Sequence, residues 1–158
     1  MPRVPPDTEH TLFVDASSQG WGAVLVTAPD MSVAVTGDRW DADFAGSHIN
    51  VQEAEALNRA VSSLLPSRAR GRVVIKVDNT SVQGVARKGI SERSAALTGP
   101  VVSALRVLHA RGVEWDIGYI RTDLNPADRP SRVWVDDWSA TDWDFISVQV
   151  RDFFALSS

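Results

Sequence analysis

Two short apolar runs that each stop on an aspartate constrain this chain more than any other feature. Thr11-Leu12-Phe13-Val14 leads into Asp15, and Val73-Val74-Ile75-Lys76-Val77 leads into Asp78. Short runs rich in β-branched and aromatic residues suit buried strands. After the turn Ser17-Ser18-Gln19, residues 20–26 read as a second strand. Pro29-Asp30 marks another turn, and residues 31–37 alternate as a third strand, with Val33 and Val35 on one side. Residues 50–65 read as a helix stopped by Pro66, and residues 67–71 as a polar loop. Then come the strand 72–78, a short helix over 79–88, a helix over 100–111 closed by Gly112, a fifth strand over 113–120 and a short helix from 126 to 133. The order β-β-β-α-β-α-α-β-α predicts an α/β fold. It should be a mixed five-stranded sheet, three antiparallel strands then two parallel, flanked by helices.

A chain of 158 residues with 44% hydrophobic content is enough for one domain with a real core. Three segments are expected: an N-terminal arm over 1–9, the domain over 10–133, and a Trp-rich extension over 134–158. The extension holds three of the six tryptophans (Trp134, Trp138, Trp143), and Phe145, Val148 and Phe153 are expected along one side of a closing helix. It reads as a packed helix or as the start of a further region. There is no cysteine, so neither disulfides nor thiolate metal sites enter. No run reaches membrane-spanning length and no signal peptide opens the chain, so the expectation is an intracellular, cytoplasmic protein without membrane contact. The net charge of -4 runs against a free-standing nucleic-acid binder, which is usually basic. Either a carboxylate cluster offset by bound metal accounts for it, or a partner domain supplies the basic surface.

Glu53 sharpens the carboxylate reading. On a helical wheel it lies on the side of Leu57, Ala60, Val61 and Leu64, within the apolar stripe. Glu55 falls among Gln52, Arg59 and Ser62, where a surface pair with Arg59 explains it. A carboxylate facing a sheet needs a metal, a hydrogen-bond network or an edge position near solvent. Asp15 and Asp78 end their strands, where open α/β sheets place ligands. If those strands are parallel neighbours the two carboxylates lie side by side, and they repel unless a cation intervenes. Mg²⁺ or Mn²⁺ suits an all-oxygen site. Either aspartate alone is explained as a turn residue.

A fourth acid, Asp128, sits in Asn125-Pro126-Ala127-Asp128-Arg129-Pro130-Ser131-Arg132. Together with Asp15-Ala-Ser-Ser-Gln-Gly-Trp-Gly-Ala, Glu53-Ala-Glu-Ala-Leu and Asp78-Asn79-Thr80, this run resembles the ribonuclease H family over residues 10–133. His48-Ile-Asn-Val-Gln-Glu53, the Asn-Pro-Ala-Asp run and Asp137-Trp138-Ser139 resemble tyrosine-recombinase retrotransposons of the DIRS kind. Gypsy-type elements are the near alternative. The resemblance departs at the loop before Asp128, Tyr119-Ile-Arg-Thr-Asp-Leu124, which lacks the histidine of cellular members. His10, His48 and His109 lie elsewhere and read as structural. Arg121 or Asp123 is left to fill that role. A basic protrusion is also not evident.

The resemblance implies a ribonuclease H-like fold and hydrolysis of the RNA strand of RNA–DNA hybrids. It implies two Mg²⁺ or Mn²⁺ ions held by Asp15, Glu53, Asp78 and Asp128, with Asp15 bridging. It implies hybrid contacts from Asn50, with Asn79, Gln19 and Ser17 as further candidates, and an attached reverse transcriptase domain beside a chain that is monomeric alone. For Asn50 a helix cap, and for Asn79 a turn, are the simpler explanations. Against this stand a catalytically weak or inactive scaffold on the same fold, and a non-nuclease binding module built on the Trp-rich extension. A transposase-type core is disfavoured, because Glu53 precedes Asp78.

Overall fold

A computed structural model describes residues 8–65, 71–79, 82–84, 86 and 95–157. Strands β1 (Glu9–Ala16), β2 (Gly20–Ala28) and β3 (Ser32–Arg39) form the meander. Helix α1 (Ile49–Leu64) leads to β4 (Arg72–Val77), helix α2 (Ala95–Ala110) to β5 (Glu114–Tyr119), and helix α3 (Ala140–Ser157) follows. One five-stranded sheet has the order β3-β2-β1-β4-β5. β1 is antiparallel to β2 but parallel to β4, and β4 is parallel to β5. The expected mixed sheet is therefore present.

Alternation along β1 divides the core. Leu12 and Val14 face α1 and α2, meeting Ala54, Leu57, Ala60, Val61, Val101 and Leu108. Phe13 faces the other way and joins Val24, Val26, Ile120, Ile146 and Val150 under α3. The Phe13 ring meets Phe153 edge-on, with centroids 5.0 Å apart. The face of α3 that packs thus carries Ile146, Val150 and Phe153. Phe145 and Val148, expected on the same side as Phe153, are exposed at 47% and 46%. The helical period explains this: Ile146, Val150 and Phe153 recur at steps of four and three, whereas Phe145 sits a quarter-turn away.

Other boundaries also differ. β1 begins at Glu9, within the segment expected as an arm. β3 continues to Arg39 because its register with β2 pairs Arg39 with Gly20. α2 starts at Ala95 and carries Pro100 inside it, as its sixth residue, where the missing N–H removes one bond of the ladder. Residues 126–128 are a single 3-10 turn followed by further turns, in place of a short helix. Much of the predicted helix at 79–88 lies outside the described residues, although 82–84 and 86 are helical.

Two glycines let the chain after β5 return to the middle of the sheet. A Cβ on Gly22 would collide with the backbone of Pro130 and Ser131, and one on Gly37 with the Pro130 carbonyl. The backbone of the 126–132 turn therefore lies directly on β2 and β3, beside β1. No helix among the described residues is long and apolar enough to cross a membrane.

Candidate active site

The register of β1 on β4 sets the site. Val14 lies opposite Val77, so the next residues, Asp15 and Asp78, emerge together at the carboxyl ends of the two central strands. Glu53 arrives from the second turn of α1, which packs across β1. One carboxylate oxygen from each of Asp15, Glu53 and Asp78 lies within 4.8 Å of the others. Asp15 and Glu53 are buried, and Asp78 is half-buried.

Specific donors hold Glu53 and Asp78, and Ser131 stands beside Asp15. The Ala16 amide donates to Glu53 Oε1 at 3.2 Å. Thr122 Oγ1 donates to Asp78 Oδ2 at 3.0 Å, from the loop after β5. The Ser131 hydroxyl lies 3.3 Å from Asp15 Oδ2 and 2.7 Å from the Asp128 carbonyl. Asn125 is fully buried; its Nδ2 donates to the Val14 carbonyl at 3.0 Å and its Oδ1 caps the turn by accepting from Ala127 N–H. That pair of bonds ties the Asp128 turn to the residue before Asp15. Asp128 itself is half-buried and stands outside the three-carboxylate group; its Oδ1 accepts from Arg132 Nε at 3.1 Å.

The charges are mutually unfavourable. Burial, then the neighbouring charges of Asp78 and Asp128, pushes the Asp15 carboxyl up to about 8. Burial first, then the charges of Asp15 and Asp78, pushes Glu53 up to about 10, and the Ala16 amide offsets only part of this. Among the described residues Glu53 Oε2 is buried without a hydrogen-bond partner. A buried carboxylate oxygen with no donor, among two other carboxylates, is the arrangement a hard divalent cation resolves. The all-oxygen donor set fits Mg²⁺ or Mn²⁺.

The Glu55 expectation fails. Glu55 is 7% exposed, with Oε1 accepting from Asn58 at 2.8 Å. Arg59 pairs instead with Asp41 at 2.8 Å and lies over Trp40 and Phe44. The helix is covered by more than the sheet: it also packs on α2, and Gln52 Nε2 reaches the Phe44 carbonyl. A single apolar stripe was too narrow a guide for a helix buried on several sides.

The four suggested hybrid contacts separate. Asn79 Nδ2 donates to Asn50 Oδ1 at 2.8 Å, so these two stand together beside Asp78. The cap of α1 is His48, whose Nδ1 accepts from Asn50 N–H, so Asn50 is not the cap. Asn79 does shape a turn, accepting from Val82 N–H. Gln19 is exposed on the β1–β2 turn. Ser17 is turned inward: its hydroxyl meets the Ser131 carbonyl at 2.7 Å and its amide the Gly20 carbonyl at 2.8 Å, so neither is presented to a substrate. His10 pairs with Thr27, and His109 lies in the last turn of α2. Arg121 and Asp123 form an exposed pair with each other at 2.7 Å. Sequence reasoning missed Thr122 and the anchoring role of Ser131. Ser131 had a signal in its place within the Asn125–Arg132 run, whereas Thr122 had none.

No known family's sequence profile matches the chain, and no curated protein matches it. Solved structures do. Ribonuclease H1 from the halophilic archaeon Halobacterium salinarum superposes with a TM-score of 0.61 at 18% identity, covering 84% of this chain and 99% of that one. The fold is that of ribonuclease H. The N-terminal ribonuclease H domain of a Mycobacterium tuberculosis protein gives 0.60 at 17% identity, over 77% and 94% of the two chains. A compost-derived ribonuclease H1, solved in complex with an RNA/DNA hybrid, gives 0.53 at 14% identity, over 78% and 92%.

Proposed function

We propose that this chain is a metal-dependent endonuclease that hydrolyses the RNA strand of RNA–DNA hybrids. The observation that carries the reading is the convergence of Asp15, Glu53 and Asp78 from three elements, with a buried, unpartnered Glu53 oxygen among them. The ribonuclease H-like fold supports it. Fold alone does not assign activity, so the site bears the weight.

Asp15, Glu53 and Asp78 would hold one divalent ion, and Asp15 with Asp128 the second. Bound ions of this kind stabilise the charge on a phosphodiester and acidify a water. The chain's own residues supply position. The Ala16 amide fixes Glu53 Oε1 and leaves Oε2 as the ligand atom. Thr122 orients Asp78, and the Ser131 hydroxyl, whose proton goes to the Asp128 carbonyl, stands 3.3 Å from Asp15. Asn125 locks the turn that carries Asp128. Asn50 and Asn79 would read ribose 2′-hydroxyls in the hybrid's minor groove, with the Asn50 amide nitrogen as donor, a role supported by their mutual bond, in which the Asn50 oxygen accepts from Asn79.

The Asn125–Arg132 run supports a place in retroelement reverse transcription, beside a reverse transcriptase domain. The net charge of -4 supports a partner that supplies the basic surface. The test uses one labelled RNA strand paired with DNA, paired with RNA, or left single, incubated with Mg²⁺ or Mn²⁺. Cleavage confined to the hybrid is expected. Equal cleavage of all three would refute the substrate assignment. Hybrid binding without cleavage in either metal would instead mark a scaffold.

A further inference from the structure

We propose that Arg132 is a resident counter-ion that competes with a divalent cation for Asp128. This rests on the metal reading above and extends it. Three of the four carboxylates form a compact group; Asp128 is outside it, though its charge acts on Asp15, and it is bound to Arg132 Nε at 3.1 Å. The pairing is built into the turn. Asp128 and Arg132 are four residues apart, and the backbone between them is pinned. Arg132 N–H donates to the Arg129 carbonyl at 3.0 Å, and Ser131 Oγ to the Asp128 carbonyl at 2.7 Å. The Ser17 hydroxyl holds the Ser131 carbonyl at 2.7 Å. Arg132 also senses the charges of Asp15 and Asp78, whereas its turn neighbour Arg129 is engaged by Asp142.

The guanidinium engages Asp128 Oδ1, an oxygen a metal would use. The Arg132 side chain is 57% exposed and that of Asp128 37%, so the pair is weak enough to exchange. When a cation takes Asp128, Arg132 is released at the rim of the site, where a nucleic-acid phosphate can receive it. The arrangement couples loading of the second ion to exposure of a phosphate-binding cation. It also means that Arg132 offsets part of the Asp128 charge when metal is scarce.

Mn²⁺ titration by calorimetry tests this on the wild type, Arg132→Gln, Arg132→Lys and Asp15→Asn, with melting in EDTA as a fold control. Arg132→Gln is expected to tighten the weaker Mn²⁺ event by about threefold or more, the equivalent of an exposed ion pair released. Arg132→Lys, which keeps the charge, should stay near wild type, and melting should change little. Unchanged or weaker Mn²⁺ binding in a folded Arg132→Gln protein overturns the proposal alone. A wild type that binds no Mn²⁺, or binds it as Asp15→Asn does, overturns the metal reading and this proposal with it. If Arg132→Gln fails to fold, Arg132→Met, which keeps the apolar stem and removes the charge, takes its place: tighter Mn²⁺ binding supports the proposal, and equal or weaker binding overturns it.

Discussion

Replacing Glu53 with glutamine should make the metal-free protein more stable while removing its metal site. In the unfolded chain Glu53 ionises near its ordinary value of 4.5, and in the folded protein burial and its neighbours hold it up to about 10. Between those values the folded chain must keep a proton that the unfolded chain has released. A carboxyl raised on folding contributes stability that is present below the unfolded value and lost as pH climbs toward the folded one. The loss is about 1.4 kcal/mol per pH unit above the unfolded value. By pH 7 this reaches about 3–4 kcal/mol, an upper bound because Glu53 and Asp15 titrate as a pair. Glutamine keeps an oxygen for the Ala16 amide and carries no charge at any pH. Denaturant unfolding in EDTA should therefore show Glu53→Gln more stable than wild type by about 1–3 kcal/mol near neutral pH, with the advantage fading toward about pH 5. Excess Mg²⁺ should narrow the gap, because only the wild type gains ligand stabilisation. A variant that is less stable than wild type in EDTA at about pH 8, or whose advantage is the same at about pH 5, would refute the electrostatic account.

The remaining predictions concern the supports of the site. Asn125→Ala leaves the Val14 carbonyl and the Ala127 amide without their partner, and should cost about 1–3 kcal/mol of unfolding free energy together with hybrid cleavage. Gly22→Val drives a side chain into the Pro130–Ser131 backbone, so cleavage should fall more than far-ultraviolet circular dichroism, which reports the helices and sheet. Asp142→Ala removes both the bonds to Ser139 at the start of α3 and the Arg129 pairing. It should lower the melting temperature and expose α3 to limited proteolysis before the rest of the chain.

Where the sequence was informative, the reason was periodicity meeting chemistry. Period-two alternation in Leu12-Phe13-Val14 and a carboxylate at the strand end made β1 and Asp15 legible, and a glutamate inside an apolar stripe singled out Glu53. Parallel pairing of β1 with β4 was conditional in the sequence, and the register of Val14 on Val77 supplies it. Glu55 was misjudged because a wheel knows one buried face, and α1 has more than one. The inward turn of Ser17 and the Asn50–Asn79 pair depend on neighbours 114 and 29 residues away in sequence, which no local pattern encodes. The same holds for Gly22 and Gly37, whose lack of a side chain admits a segment more than ninety residues later. The α3 helix was visible as an apolar segment, but which side packs depended on contacts with Phe13 on the sheet.

The most direct test of the central claim is single-turnover cleavage of an RNA–DNA hybrid by the wild type and by Asp78→Asn across a Mg²⁺ titration. The account predicts RNA-strand cleavage that rises with Mg²⁺ in the wild type and falls by at least about a hundredfold in the variant. Cleavage that persists in EDTA, or that Asp78→Asn retains at the wild-type rate, would contradict it.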